Sequence, residues 1–159
     1  MKRLIVIFLI ILNGLSAGDD TKYPFLGIVG YNSNLVGENF NVIAIRYGQQ
    51  NRDWRTTFTL ESKQGDYQLF TMGIDRTILH SLVTTKLRIY AGVRLGAITQ
   101  DDNVAGDTNI GYSYGGAMGL MYYINDRLDF DIGYRYLKVT DLRGIDDIKG
   151  VSIALHYFF

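Results

Sequence analysis

From position 23 to the C-terminus, apolar and polar residues alternate with a period of two, and no helical period of 3.6 stands out. The clearest stretch runs from Leu128 to Tyr136. Leu128, Phe130, Ile132, Tyr134 and Tyr136 form one face; Asp129, Asp131, Gly133 and Arg135 form the other. The final segment repeats the scheme, with Val151, Ile153, Leu155, Tyr157 and Phe159 alternating with Gly150, Ser152, Ala154, His156 and Phe158. Between 87 and 97, Leu87, Ile89, Ala91, Val93 and Leu95 oppose Arg88, Tyr90, Gly92, Arg94 and Gly96. Polar or Gly-rich breaks between such runs predict eight strands, at 23–31, 40–48, 54–62, 67–76, 86–98, 110–123, 128–138 and 148–159. The segment 77–85 (TILHSLVTT) is read as the break between the fourth and fifth strands.

The first residues have a different organisation. Lys2 and Arg3 precede nine unbroken apolar residues, Leu4 to Leu12, and a small-residue stretch ends at Ala17. That is the layout of a secretory signal peptide, and the run falls well short of the roughly 20 residues of a spanning helix. Residues 1–17 are therefore expected to be a cleaved leader and 18–159 a single exported domain. Without Lys2 and Arg3, acidic residues slightly outnumber basic ones, which gives no electrostatic basis for binding nucleic acid. The chain contains no cysteine, so disulfides and thiolate metal sites are excluded. Abundant Tyr and Gly beside a single proline suit a chain that is almost all strand.

Eight alternating strands can close into a soluble barrel with an apolar interior or a membrane barrel with an apolar exterior. The residues opposite the apolar face decide between them. On the sixth strand they are Gly111, Ser113, Gly115, Ala117 and Gly119, and on the eighth Gly150, Ser152 and Ala154. Small uncharged residues suit a crowded lumen better than a hydrated surface. Tyr112 and Tyr114 stand ten and eight residues from Tyr122 on the apolar face of the sixth strand. Ten residues at about 3.3 Å each, tilted by about 40°, reach roughly 25 Å along a membrane normal, the height of an outer-membrane apolar band. Tyr23, Phe25 and Tyr31 are read as the same arrangement on the first strand, and Tyr134 and Tyr136 complete the expected aromatic girdles. The predicted fold is an all-β, eight-stranded, antiparallel up-and-down transmembrane β-barrel.

The chain ends in Phe159 after an alternating strand that carries Ile153, Leu155 and Tyr157 on one face, and Gly133-Tyr134-Arg135-Tyr136-Leu137 precedes it. In these features it resembles the small eight-stranded outer-membrane barrels, the group of OmpA-like, OmpX-like and opacity-type porin barrels. The resemblance spans Tyr23 to Phe159. It implies residence in the outer membrane of a Gram-negative bacterium, contact with outer-membrane lipid and lipopolysaccharide, and a monomer. It also implies that Ile153, Leu155, Tyr157 and Phe159 act as the signal read by the barrel-assembly machinery.

Parity assigns nine charged side chains to the lumen: Arg46, Arg55, Glu61, Asp75, Arg88, Arg94, Asp129, Asp131 and Arg135. The two signs nearly balance, as burial requires. With the N-terminus in the periplasm, Arg46, Arg55, Asp75, Arg88, Asp129 and Asp131 are expected in the periplasmic half and Glu61, Arg94 and Arg135 above them. A charge network in a narrow lumen predicts a structural or porin-like protein. The alternative is a surface adhesin or host-factor binder acting through its extracellular loops. No catalytic, cofactor or metal site is expected. His80 is read into the turn between the fourth and fifth strands and His156 into the interior near the periplasmic rim, both far from the outer leaflet where a lipid-modifying enzyme would work. The acidic residues Asp101, Asp102, Asp107, Asp141, Asp146 and Asp147 match no calcium-loop spacing and are read as solvated charge.

Overall fold

The computed structural model describes residues 22–35, 38–63, 67–80, 86–101, 108–142 and 144–159; the expected leader lies outside them. Eight strands form: β1 (Tyr23–Leu35), β2 (Glu38–Gln50), β3 (Trp54–Lys63), β4 (Tyr67–His80), β5 (Leu87–Asp101), β6 (Thr108–Asn125), β7 (Leu128–Thr140) and β8 (Asp147–Phe158). Each pairs antiparallel with its neighbours in sequence, and β8 pairs with β1 to close the barrel. Closure satisfies every strand edge, which is what lets an all-strand chain sit in a medium that offers no hydrogen bonds.

One end of the barrel carries Tyr23, Phe159 and the β2–β3, β4–β5 and β6–β7 turns; the other carries the remaining four connections. Side-chain amides set two of the turns at the first end. Asn51 Oδ1 accepts from the Asp53 and Trp54 amides, and Asn125 Oδ1 from the Arg127 amide. The β7–β8 connection at the opposite end folds back over the lumen. Asp141 and Gly144 adopt positive φ there, the Val139 amide donates to the Asp146 carbonyl, and Ile145 is buried.

The outer face is apolar all the way round. Ile28, Ile43, Leu60, Val93, Leu95, Met118, Ile132 and Ile153 are all exposed. Outward-facing aromatics lie at two levels: Tyr47, Trp54, Tyr122 and Tyr157 toward the turn end, and Phe70, Tyr112, Tyr114 and Tyr136 toward the loop end, with Tyr134 next below Tyr136 on β7.

Two expectations are corrected. Tyr31 and Phe25 face the lumen and are buried, so Tyr31 belongs to no girdle; Tyr23 is exposed, but at the turn-end rim on the inward parity. Both faces of β1 carry apolar residues, so alternation alone leaves its parity open. Pairing with β8 settles it, because directly opposed residues share a face. Tyr157, Leu155 and Ile153 point outward and oppose Leu26, Ile28 and Gly30. The second correction concerns 77–85. Strand β4 continues through His80, with a bulge between Thr77 and Leu79 that turns Ile78 and Leu79 both outward. That extra residue broke the period on which the turn was placed.

Candidate functional site in the barrel lumen

Cross-strand pairing places the charged residues in rows. Arg46 opposes Gly27, Gly27 opposes His156, and His156 opposes Asp129. Gly27 is needed in that row because a Cβ there would collide with the His156 ring. Arg55 opposes Asp75, which opposes Gly92, where a Cβ would strike the Asp75 carboxylate. Gly27, Gly73 and Gly92 are therefore spaces that His156, Arg94 and Asp75 fill.

Most of these charges form one buried network. Asp131 accepts from Arg55 Nη2 at 2.6 Å on one oxygen and from the Tyr90 hydroxyl at 2.8 Å on the other. Arg46 Nη1 lies 3.9 Å from the same carboxylate. Arg55 Nε donates to Asp75 at 3.2 Å, and the second Asp75 oxygen takes Arg94 Nη1 at 2.5 Å. Tyr90 reaches Asp131 by crossing the paired glycines Gly119 and Gly133, either of which would clash with its hydroxyl if it carried a Cβ. His156 Nδ1 lies 2.6 Å from Asp129 Oδ1 and its Nε2 faces Arg46 Nη1 at 3.4 Å. Arginine can only donate, so Nε2 accepts and Nδ1–H donates to Asp129, which fixes a neutral imidazole in one tautomer.

A second, smaller cluster sits nearer the loop end. Arg135 grips Glu61 through two nitrogens at 2.6 and 2.9 Å, and the Tyr67 hydroxyl donates to Glu61 at 2.5 Å. Arg135 also donates to Ser33 at 3.1 Å. Tyr31 bridges the clusters: its hydroxyl accepts from Arg46 at 2.9 Å, and Arg135 lies 3.6 Å over its ring.

Both ends of this charged region are apolar. Toward the loops lies a buried cluster of Tyr67, Leu69, Ile98, Leu137, Val139, Ile145 and Ile148, with Phe40 and Leu142 packed against it. Toward the turns lie the rings of Phe25, Phe158 and Tyr123, with centroids 5.3 Å (Phe25–Phe158) and 6.4 Å (Tyr123–Phe158) apart.

Eight of the nine charges assigned to the lumen thus lie buried within it, and two details differ from expectation. Arg94 joins the lower network, because its side chain runs across Gly73 to Asp75. Arg88 points inward but stands at the turn-end rim, where it donates to the Arg52 carbonyl at 3.0 Å and lies 4.7 Å over the Tyr123 ring; among the described residues no carboxylate pairs with it. Sequence reading missed the polar partners Tyr31, Tyr67, Tyr90, Ser33 and His156. For His156 the inward parity was visible; the pairing of β7 with β8 that sets it opposite Asp129 was not. The strand of His80 lies among the described residues and its side chain does not. Among the described residues, no group of three or more His, Cys, Asp or Glu is arranged to hold a metal ion.

No protein-family model and no curated protein matches the sequence. Solved structures do. Outer membrane protein H (OprH) of P. aeruginosa superposes with a TM-score of 0.66 at 18% identity, covering 86% of this chain and 99% of that one. Neisserial surface protein A (NspA) gives 0.59 at 17% identity, covering 87% and 97%. Ail, the attachment invasion locus protein of Yersinia pestis, gives 0.53 at 12% identity, covering 89% and 100%. At these identities the likeness establishes architecture: the chain has the fold of the small eight-stranded outer-membrane β-barrels.

Proposed function

We propose that this protein is a structural barrel of the Gram-negative outer membrane, with a lumen closed by charge pairs rather than held open for solutes. The observation that carries the reading is the filling of the lumen. Passing from turn end to loop end, a solute would meet an aromatic layer, a network of ion pairs, the Glu61–Arg135 pair and an apolar cluster folded under the β7–β8 loop. The apolar exterior supports lipid as the surrounding medium, because a soluble monomer rarely exposes an apolar patch beyond a few hundred Å². In this reading the termini and turns lie in the periplasm, and the outward Ile153, Leu155, Tyr157 and Phe159 are the strand that the assembly machinery reads. A surface adhesin acts through long loops. Here the connections at the loop end are short, the longest occupying 102–107 and 141–146.

Planar-bilayer recording of the refolded barrel tests this. The expected trace lacks sustained open steps; a steady ohmic conductance of the size of a diffusion pore would refute the closed lumen. In cells, the protein is expected in the outer-membrane fraction, with an unheated gel band displaced from the heated one because closed barrels resist detergent unfolding. Recovery in the soluble periplasmic fraction would contradict membrane residence.

A further inference from the structure

In the turn-end half of the apolar outer surface, Arg76 is the one charged side chain among the described residues. It is exposed near the turn end of β4, on the outward parity between Ile74 and Ile78. Directly opposite it stand Trp54 on β3 and Ala91 on β5, and Ile89 and Val93 flank Ala91 on the same face. Among the described residues no carboxylate pairs with Arg76; its guanidinium lies 5.4 Å over the Trp54 ring. The β2–β3 turn fixes that ring. The Trp54 amide donates to Asn51 Oδ1 at 2.7 Å, the Trp54 carbonyl accepts from the Asn51 amide at 2.9 Å, and the Thr77 amide, next to Arg76, donates to the Asp53 carbonyl at 2.8 Å. Indole and guanidinium are thus set side by side at the level of the turn-end girdle. A charge facing lipid is costly at the bilayer centre and tolerated where its head reaches the interface. Stacking on Trp54 shelters the face of the guanidinium plane, yet the ring accepts none of the N–H donors that point outward along its edge. The acceptor that a phospholipid leaflet offers at this depth is the phosphodiester, whose free oxygens match the guanidinium fork.

We propose that the outer face of β3 and β4 at the turn end is a binding site for an anionic phospholipid of the periplasmic leaflet, with its phosphate on Arg76, its glycerol region against Trp54 and its acyl chains over Ile74 and Val93. Charge selects the class of lipid. Among the described residues the turn end carries six basic side chains, Lys22, Arg52, Arg76, Lys86, Arg88 and Arg127, against two acidic ones, Asp53 and Asp126. Pairing among them leaves that net positive charge unchanged, so an anionic headgroup is favoured over a zwitterionic one. The inference rests on the membrane residence and orientation proposed above and adds a preferred lipid to them.

Trp54 is the single tryptophan of the chain and therefore reports on its own site. The whole barrel is reconstituted in phosphatidylcholine vesicles containing a small fraction of lipid brominated high on its acyl chains, either phosphatidylglycerol or phosphatidylcholine. Bromine quenches the indole on contact. Brominated phosphatidylglycerol is expected to occupy the site about fivefold more readily than brominated phosphatidylcholine. Arg76 lies outside the packed lumen, and the heat-shifted gel band reports that each variant still closes. Arg76→Gln is expected to abolish the preference, whereas Arg76→Lys, which keeps the charge and loses the planar fork, is expected to retain part of it. Equal quenching by the two lipids in the parent, or a preference unchanged in Arg76→Gln, would overturn the site and leave membrane residence standing. Quenching by neither lipid, in barrels that float with the vesicles, would mean that a second copy covers this face and would also overturn the site. A barrel that does not float with the vesicles would overturn membrane residence and the site together.

Discussion

Asp131→Ala is expected to destabilise the barrel by roughly 3–5 kcal/mol, the cost of leaving a buried charge without its partner. Asp131 is fully buried and takes Arg55 and Tyr90 directly, with Arg46 at 3.9 Å. The lower network balances three arginines, Arg46, Arg55 and Arg94, against three aspartates, Asp75, Asp129 and Asp131, with His156 neutral between Arg46 and Asp129. Removing one aspartate leaves an excess positive charge between two apolar layers, and Asp75 cannot absorb it because both its oxygens are engaged. Asp131→Asn keeps the shape and one acceptor, and is expected to cost less than alanine. Adding Arg55→Met to Asp131→Ala removes the stranded cation and is expected to restore part of the loss. Urea unfolding of the barrel in lipid vesicles, read through Trp54, the single tryptophan, measures all three variants. A loss below about 1 kcal/mol for Asp131→Ala is what a hydrated surface pair would give, and would mean that water fills the lumen.

How far the sequence reveals this site depends on what alternation encodes. Where one face is apolar and the other polar, as on β7 and β8, parity is legible from single residues: Asp129, Asp131 and Arg135 point inward and Ile132, Ile153 and Leu155 outward. Small residues on the inward faces revealed that the barrel is inside-out relative to a soluble one. Alternation carries no register, however. That His156 opposes Asp129, or that Gly119 and Gly133 pair to make room for Tyr90, follows only from how each strand slides against the next before the ring closes. Parity itself became ambiguous where both faces are apolar, as with Phe25, Val29 and Tyr31 against Leu26 and Ile28 on β1. The position of a strand's end was lost where a bulge at Thr77/Leu79 broke the period. Height within the lumen was legible only to within a side-chain length, which is why Arg94, midway along β5, turned out to serve Asp75 below it.

The Glu61–Arg135 pair offers a cleaner measurement than the lower network, because it is a one-to-one ion pair. Glu61→Leu alone leaves Arg135 buried with Ser33 and the face of Tyr31 as its remaining partners, and is expected to cost roughly 3–5 kcal/mol. The double variant Glu61→Leu/Arg135→Met removes both charges and extends the apolar cluster of Leu69, Leu137 and Ile148 that lies next above. It is expected to recover most of that loss, since buried ion pairs are often no more stable than apolar replacements of similar volume. Recovery will be incomplete for a definite reason. The Tyr67 hydroxyl donates to Glu61 and would lose that carboxylate acceptor, a cost of about 1–3 kcal/mol. Adding Tyr67→Phe removes that hydroxyl, so the triple variant is expected to exceed the double in stability. The order of unfolding midpoints, single below double below triple, is the checkable result, and none of the three is expected to conduct, because the lower network and the aromatic layer still close the lumen. If the double variant were no more stable than the single, the charge on Arg135 would not be what Glu61 compensates. If the triple conducted, the lower network would not be the barrier that the closed-lumen reading requires.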